Sequence, residues 1–177
     1  MHFDADFELV PYLEEGASSS NKFYYGQSPT WNDLSAKLDV SRSETGILLD
    51  AAPKEAESGR QLTVLFGSTG SGKTTILKRV AYNLASKGVH HVLWTSELAR
   101  LSRTTASTLD MIDGSVALIV DNMADHAQAI SDVLSMSDKE DVFIIGAERS
   151  YREEYLVKTF GSGGFTSIKM GLSLIHI

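Results

Sequence analysis

The chain has 177 residues, of which 42% are hydrophobic and 22% charged, ordinary figures for a globular domain with a sizeable core. A net charge of −7 leaves no basic stripe for a nucleic-acid surface, and the lack of cysteine excludes disulfides and zinc–thiolate sites and fits a reducing compartment. The longest apolar runs, such as Val116 to Val120, are far too short to cross a bilayer, and the acidic start Met1 to Asp6 has no apolar secretory core; a cytoplasmic protein with no membrane partner is expected.

Residues 1–21 are polar and punctuated by Pro11, Gly16 and Ser18-Ser19-Ser20, and read as a linker or arm. Residues 22–60 open with the aromatic cluster Phe23-Tyr24-Tyr25 and read as a segment docked on a core. Within it, Ser28-Pro29-Thr30 is placed to cap a helix over Trp31 to Leu38. Ile47-Leu48-Leu49 reads as a short helix or an apolar patch, and Ala51 to Arg60 as a polar link.

From residue 61 to 171 strands and helices alternate. The first strand is Leu62–Phe66, and the first helix is Lys73–Lys87, stopped by Gly88. His91–Thr95 is the second strand. Ser96 is placed to cap a helix through Leu101, and Ser102 to Thr108 reads as a helix-weak connector. Val116–Val120 is the third strand, followed by a helix over Ala124–Met136. Val142–Ile145 is the fourth strand, Arg149 to Phe160 a helix, and Phe165 to Met170 the fifth strand. Strands buried on both faces and separated by helices imply an α/β three-layer fold, with a parallel five-stranded sheet and helices on both faces.

One stretch carries the chemistry. Gly67-Ser68-Thr69-Gly70-Ser71-Gly72-Lys73-Thr74 fits G-x-x-x-x-G-K-[ST] and lies between a strand and a helix, the setting a phosphate-binding loop requires. Glycines allow backbone N–H groups to converge on phosphate oxygens. The helix that follows aims its free N–H groups at the anion. Gly67 to Thr75 are therefore the nucleotide-binding candidates: Lys73 reaches the β- and γ-phosphates and the Thr74 hydroxyl is a Mg²⁺ ligand.

The apolar run Val116 to Val120 ends in Asp121, the strand-end carboxylate that such a site uses to hold Mg²⁺ through water; a strand-end Asp that only caps the next turn is the other reading. Hydrolysis needs a group that orients or deprotonates the attacking water. Asp125 is the best-placed carboxylate, with Asn122 as an alternative; for Asp125 a first-turn helix acid is the structural counterpart. Arg149, after the fourth strand, is either a γ-phosphate sensor or a surface Arg paired with Glu153, and Glu148 beside it would quench it. Lys78 and Arg79 read as helix surface, and His90, His91 and His126 as structural.

Walker A on the first strand, Walker B on the third and an Arg after the fourth resemble the STAND class of signal-transducing NTPases, relatives of the AAA+ ATPases. The resemblance covers roughly Phe23 to Met170 and includes the segment Phe23-Tyr-Tyr-Gly-Gln-Ser-Pro-Thr-Trp31-Asn-Asp33-Leu34. It implies a P-loop NTPase fold with strand order 5-1-4-3-2, ATP and Mg²⁺ as cofactors, Walker A roles for Lys73 and Thr74, a Walker B role for Asp121 and a sensor-like role for Arg149, self-oligomerisation, and an ATP-driven switch in a multidomain signalling or anti-phage defence protein, with an amino-terminal effector such as a sirtuin-like domain. The run Asp121-Asn-Met-Ala-Asp125 departs from the paired acids of NACHT-type members, which bears on hydrolysis rate. A small-molecule kinase and a nucleotide-binding scaffold with negligible turnover are the alternatives. A GTPase base reader and the ABC signature Leu-Ser-Gly-Gly are both absent from the sequence. The last six residues, Leu172 to Ile177, match a translated sequencing adapter, which reads the core as incomplete; a genuine apolar strand end is the alternative.

Overall fold

A computed structural model describes residues 6–11, 27–53, 61–88, 91–95, 99 and 101–171. Five strands run parallel: β2 (Gln61–Gly67), β3 (His91–Thr95), β4 (Val116–Val120), β5 (Val142–Arg149) and β6 (Thr166–Lys169). Their order across the sheet, β3-β4-β5-β2-β6, is the expected 5-1-4-3-2 read from the other edge. A sixth strand adds to it. β1 (Phe7–Leu9) pairs antiparallel with β3, Phe7 opposite Thr95 and Leu9 opposite Leu93. Part of the stretch expected to be a linker, residues 1–21, is thus an edge strand. Its signal in the sequence is short: Phe7 faces the core while Glu8 and Leu9 remain exposed, and three residues are too few to show a period.

The strands are apolar on both faces because both faces are covered. Val116, Leu118 and Val120 of β4 point to one side, with Val142 and Ile144 of β5 and Val64 and Phe66 of β2. Packed on them are α4 (Arg103–Asp110), α5 (Ala127–Met136) and α6 (Glu153–Phe160), through Leu109, Ile130 and Leu156 among others. Ala117, Ile119, Phe143 and Ile145 point to the other side, onto α2 (Ser43–Ala51) and α3 (Lys73–Lys87) through Leu48, Ile76, Leu77, Val80 and Leu84. The 3.6-residue spacing of α3's apolar side chains sets which face it buries. It ends at Gly88, whose φ of 66° is the left-handed stop that glycine adopts without strain.

Among the described residues before the core, two short helices lie against α3. α1 (Trp31–Ser35) starts at Thr30, which caps Asp33, while the Asp33 carboxylate accepts the Thr30 N–H at 2.8 Å, a reciprocal box that satisfies two end donors. The aromatic cluster Phe23 to Tyr25, most of the polar link to Arg60 and the terminal Leu172 to Ile177 lie outside the described residues, as do Ser96 to Leu98 of the expected short helix.

Two expectations change. Ser102 to Thr108, read as a helix-weak connector, is most of α4. Thr105 Oγ1 accepts the Ser102 N–H at 3.0 Å, and Ala106 and Leu109 bury one turn apart, so packing overrides the low intrinsic propensity. β5 runs on past Ile145 to Arg149, and α6 begins only at Glu153, after the 3₁₀ turn Ser150–Arg152.

Candidate functional site

The loop between β2 and α3 has the backbone that its glycines allow. Gly70 and Gly72 sit at φ 74° and 91°, a region that side chains with a Cβ rarely occupy. A Cβ on Gly67 would lie 2.8 Å from both Ser71 Oγ and Met170 Sδ, so a side chain there would have to displace both. Gly72 is the N-cap of α3, with no capping side chain and no acid in the first turn. The first-turn N–H groups of a helix have no intrahelical partner, and here they converge with the helix dipole on one concavity. Lys73, the first residue of α3, folds back over the loop: its Nζ donates to the Gly67 and Ser68 carbonyls at 3.2 and 2.7 Å. Burial pulls the Lys73 pKa below its ordinary 10.5, against the opposing charges of Asp121 and Glu148, and Arg149 adds to the lowering. A lysine at the start of a helix whose N-cap is a glycine with no capping side chain fits a polyphosphate.

Across the loop, β4 delivers Asp121. The Thr74 hydroxyl donates to Asp121 Oδ2 at 2.6 Å, and the Asn122 N–H donates to Asp121 Oδ1 at 3.0 Å. One hydroxyl and one carboxylate brought together from residues 47 apart match what a Mg²⁺ ion with phosphate and water ligands takes from a protein. Among the described residues there is no group of three or more His, Cys, Asp or Glu placed to hold a metal by themselves. An open cleft of about 890 Å³ borders this pair, lined among others by Glu8, Thr74, Trp94, Asp121, Asp125 and His126.

Asp125 and Arg149 stand differently from the sequence expectation. Asp125 closes the 3₁₀ turn Met123–Asp125 and faces the cleft, but its carboxylate is bound by Arg152 Nη2 at 2.7 Å. Asn122, at the head of the turn, has φ 51°. Arg149 ends β5 opposite Gly67, and its guanidinium is exposed and donates to the Tyr151 hydroxyl at 3.0 Å. It does not pair with Glu153, which is bound to Lys169 at 3.0 Å. Glu148 acts on the Arg149 guanidinium through its charge without an ion pair between them. It is buried and accepts the Arg149 N–H at 2.6 Å and the Ala124 N–H at 2.8 Å. His126 is half-buried beside the cleft; burial lowers its pKa, with Asp125 and Asp6 pulling the other way.

Sequence reasoning missed Arg152, Lys78 and Arg79. Lys78 donates to the Pro29 carbonyl at 2.9 Å and lies 5.6 and 5.5 Å from the ring centroids of Trp31 and Trp94. Arg79 binds Asp39 through Nε at 2.8 Å and through Nη2, which also donates to the Leu34 carbonyl at 2.9 Å. Their place on the outer face of α3 suggests helix surface; both instead hold α1 and the stretch around Asp39. Trp31 completes that contact, edge-on to Trp94 at 5.9 Å and donating to Glu8 at 2.6 Å.

Comparison with known proteins agrees with this architecture. A closed-state cryoEM reconstruction of Hsp104 with ATPγS and FITC-casein superposes with a TM-score of 0.54 at 16% identity, over 94% of this chain and 30% of that one; at that identity the likeness concerns the fold. AMPPCP-bound DnaA from Aquifex aeolicus gives a TM-score of 0.48 at 14% identity over 77% of this chain and 49% of that one. ABC transporter G family member 11 of Arabidopsis thaliana is 33% identical over 92 residues, 51% of this chain, and the match spans 13% of the transporter. The family model described as Novel STAND NTPase 5 matches residues 21–158, which covers the docked segment, the glycine loop, Asp121 and Arg149; the chain is a STAND NTPase of that family, a nucleotide-binding module with a P-loop NTPase fold.

Proposed function

We propose that this module binds ATP with Mg²⁺ in the loop between β2 and α3 and hydrolyses it, serving as the switch of a cytoplasmic multidomain signalling or anti-phage defence protein that self-associates. The observation that carries the reading is the 2.6 Å contact between Thr74 and Asp121, made directly beside a left-handed glycine loop and a helix N-terminus. In this reading the loop residues Gly67 to Thr75 hold the phosphates by backbone N–H, and Lys73 leaves its two carbonyls to neutralise the β- and γ-oxygens. Thr74 and Asp121 hold Mg²⁺, which supplies charge neutralisation across the phosphate oxygens. Arg149, exposed at the end of β5 opposite Gly67, turns from the Tyr151 hydroxyl to meet the terminal phosphate. Asp125, held in place by Arg152, orients or deprotonates the attacking water. ATP is favoured over GTP because the sequence has no Asn-Lys-x-Asp base reader.

One observation favours a second reading, a scaffold that binds nucleotide and scarcely turns it over: Asp125 is held by Arg152 at 2.7 Å rather than left to a water. Titration of ATP and a phosphate-release assay on the same preparation decide between them. Tight binding with measurable release supports the ATPase, and tight binding with none supports the scaffold. A folded Lys73→Ala protein with parental ATP affinity would remove the glycine loop from either account.

A further inference from the structure

We propose that Glu148 is a positioning residue for hydrolysis, fixing the turn that joins Asp121 to Asp125; this rests on the ATPase reading above. β5 is apolar from Val142 to Ala147, then carries a carboxylate, Glu148, that is 1% exposed. A carboxylate at that depth persists only where its oxygens are occupied. Both are. Oε2 accepts the Ala124 N–H at 2.8 Å, and Oε1 accepts the Arg149 N–H at 2.6 Å. Arg152 Nη1 lies 3.5 Å from Oε2, and Nη2 of the same guanidinium holds Asp125 at 2.7 Å. Glu148 therefore reaches Asp125 twice, through the backbone of the turn and through Arg152.

The turn needs such a hold. It starts at Asn122 in the left-handed region, φ 51°, a conformation that persists when its surroundings determine it. An apolar peg supplies part of that. Met123 is fully buried against β5, and its Sδ lies 2.7 Å from where a Cβ on Gly146 would stand. Glu148, two residues further along the same strand, supplies the polar peg. Its strand partner is Phe66, the residue before Gly67, so the strand beside the phosphate loop also sets the turn on the metal side. A glutamine in its place would keep one acceptor but set an NH₂ against a backbone N–H, and it would leave Arg152 without its buried counter-charge.

The test uses the 177-residue chain with ATP and Mg²⁺. Glu148→Gln, Arg152→Gln and the exposed control Glu154→Gln are compared in kcat, ATP Kd, thermal midpoint and hydrogen exchange of the 121–126 backbone. The expected result for Glu148→Gln is a kcat lower by about tenfold or more with Kd within about threefold, the split that marks a contribution to the chemical step rather than to binding. Exchange quickens at 121–126 and is unchanged within α3. Arg152→Gln loses less, and Glu154→Gln nothing. Parental kcat in a folded Glu148→Gln protein overturns the proposal, as does an equal loss in kcat and affinity. Should Glu148→Gln fail to fold, Arg152→Gln decides: parental kcat and unchanged exchange there overturn it. The underlying reading fails in a different place. A wild-type chain that releases no phosphate removes hydrolysis, and the positioning role with it, before any variant is compared.

Discussion

Removing the Arg79 side chain should loosen the segment before the core from α3. The guanidinium reaches Asp39 through two nitrogens and the Leu34 carbonyl through one of them, and it stacks 5.7 Å from the Tyr82 ring centroid. Arg79 and Asp39 side chains are only 15% and 5% exposed. Breaking a buried pair by deleting one partner costs about 3–5 kcal/mol, most of it the stranded charge. Partial exposure of Arg79 puts this case at the lower end, and the lost bond to Leu34 adds about 1 kcal/mol. Arg79→Ala should therefore destabilise by about 3–4 kcal/mol. For a chain of this size that is a fall in Tm of about 6–15 °C. The Arg79→Ala/Asp39→Ala double variant strands no charge, so it should lose about 1–2 kcal/mol less than the sum of the singles. Urea unfolding of the four proteins measures both quantities. Lys158→Ala, which breaks an ion pair with both side chains more than 70% exposed, is the reference, since such pairs contribute little. An Arg79→Ala protein as stable as Lys158→Ala, or strict additivity in the cycle, would refute the reasoning.

Asp121→Asn keeps the shape of the site and lowers its charge, so ATP affinity should persist while its dependence on Mg²⁺ weakens; calorimetric titration with and without Mg²⁺ reads this, and an unaltered Mg²⁺ dependence counts against the metal assignment. Gly72→Ala meets no atom within 4 Å yet must adopt φ 91°, so it should cost about 1–2 kcal/mol by strain alone, seen as a lower urea midpoint; an unchanged midpoint would mean that the loop relaxes freely. His126 has a folded pKa below its unfolded 6.5, chiefly because it is buried. The unfolded chain thus binds the proton more readily. His126 contributes stability that is fully present above pH 6.5 and is lost as pH falls through the depressed folded pKa. His126→Gln should flatten the stability profile below pH 6.5, and thermal melts at a series of pH values that keep the parental slope would contradict it.

Much of the fold is legible in the sequence because its signals are local. The strand Val116–Val120 and the helix Lys73–Lys87 match the structure residue for residue, since an unbroken apolar run and a 3.6-residue stripe bounded by glycines each have one reading. The glycine loop is likewise a contiguous motif whose backbone follows from its residue types. Asp121 is legible as the residue that ends the strand two after that loop, and the structure sets its carboxylate on the Thr74 hydroxyl. The extent of α4 and the edge strand Phe7–Leu9 are not local properties. The first depends on Ala106 and Leu109 meeting a face made by other elements, and the second on pairing with β3, some 84 residues away in its nearest contact, Leu9 to Leu93. Neither leaves a period in its own sequence long enough to read.

The polar contacts were the hardest to read, and for one physical reason. A helical stripe divides side chains into those that face the sheet and those that do not, and the second group is taken as solvent-facing. α3 breaks that assumption because it is covered twice. Its apolar face lies on the sheet, and its outer face meets α1 and the stretch around Asp39, where long cationic side chains suit the contact better than aliphatic ones. Lys78 sets its ammonium over the Trp31 and Trp94 rings and Arg79 its guanidinium over Tyr82, and both still donate to the Pro29 and Leu34 carbonyls and to Asp39. Pro29 lies just before α1 and Leu34 in its last turn, so both carbonyls sit at the ends of a short helix packed on α3, and Leu34 also accepts the Lys37 N–H at 3.0 Å. The same logic explains Arg152 and Glu148. A strand that runs past its apolar stretch brings a carboxylate below the surface, and the nearest free donors are the backbone of the next strand's turn and a cation one turn on. In a layered fold, polar residues at the seam between two layers carry the joins that hydrophobic periodicity cannot show.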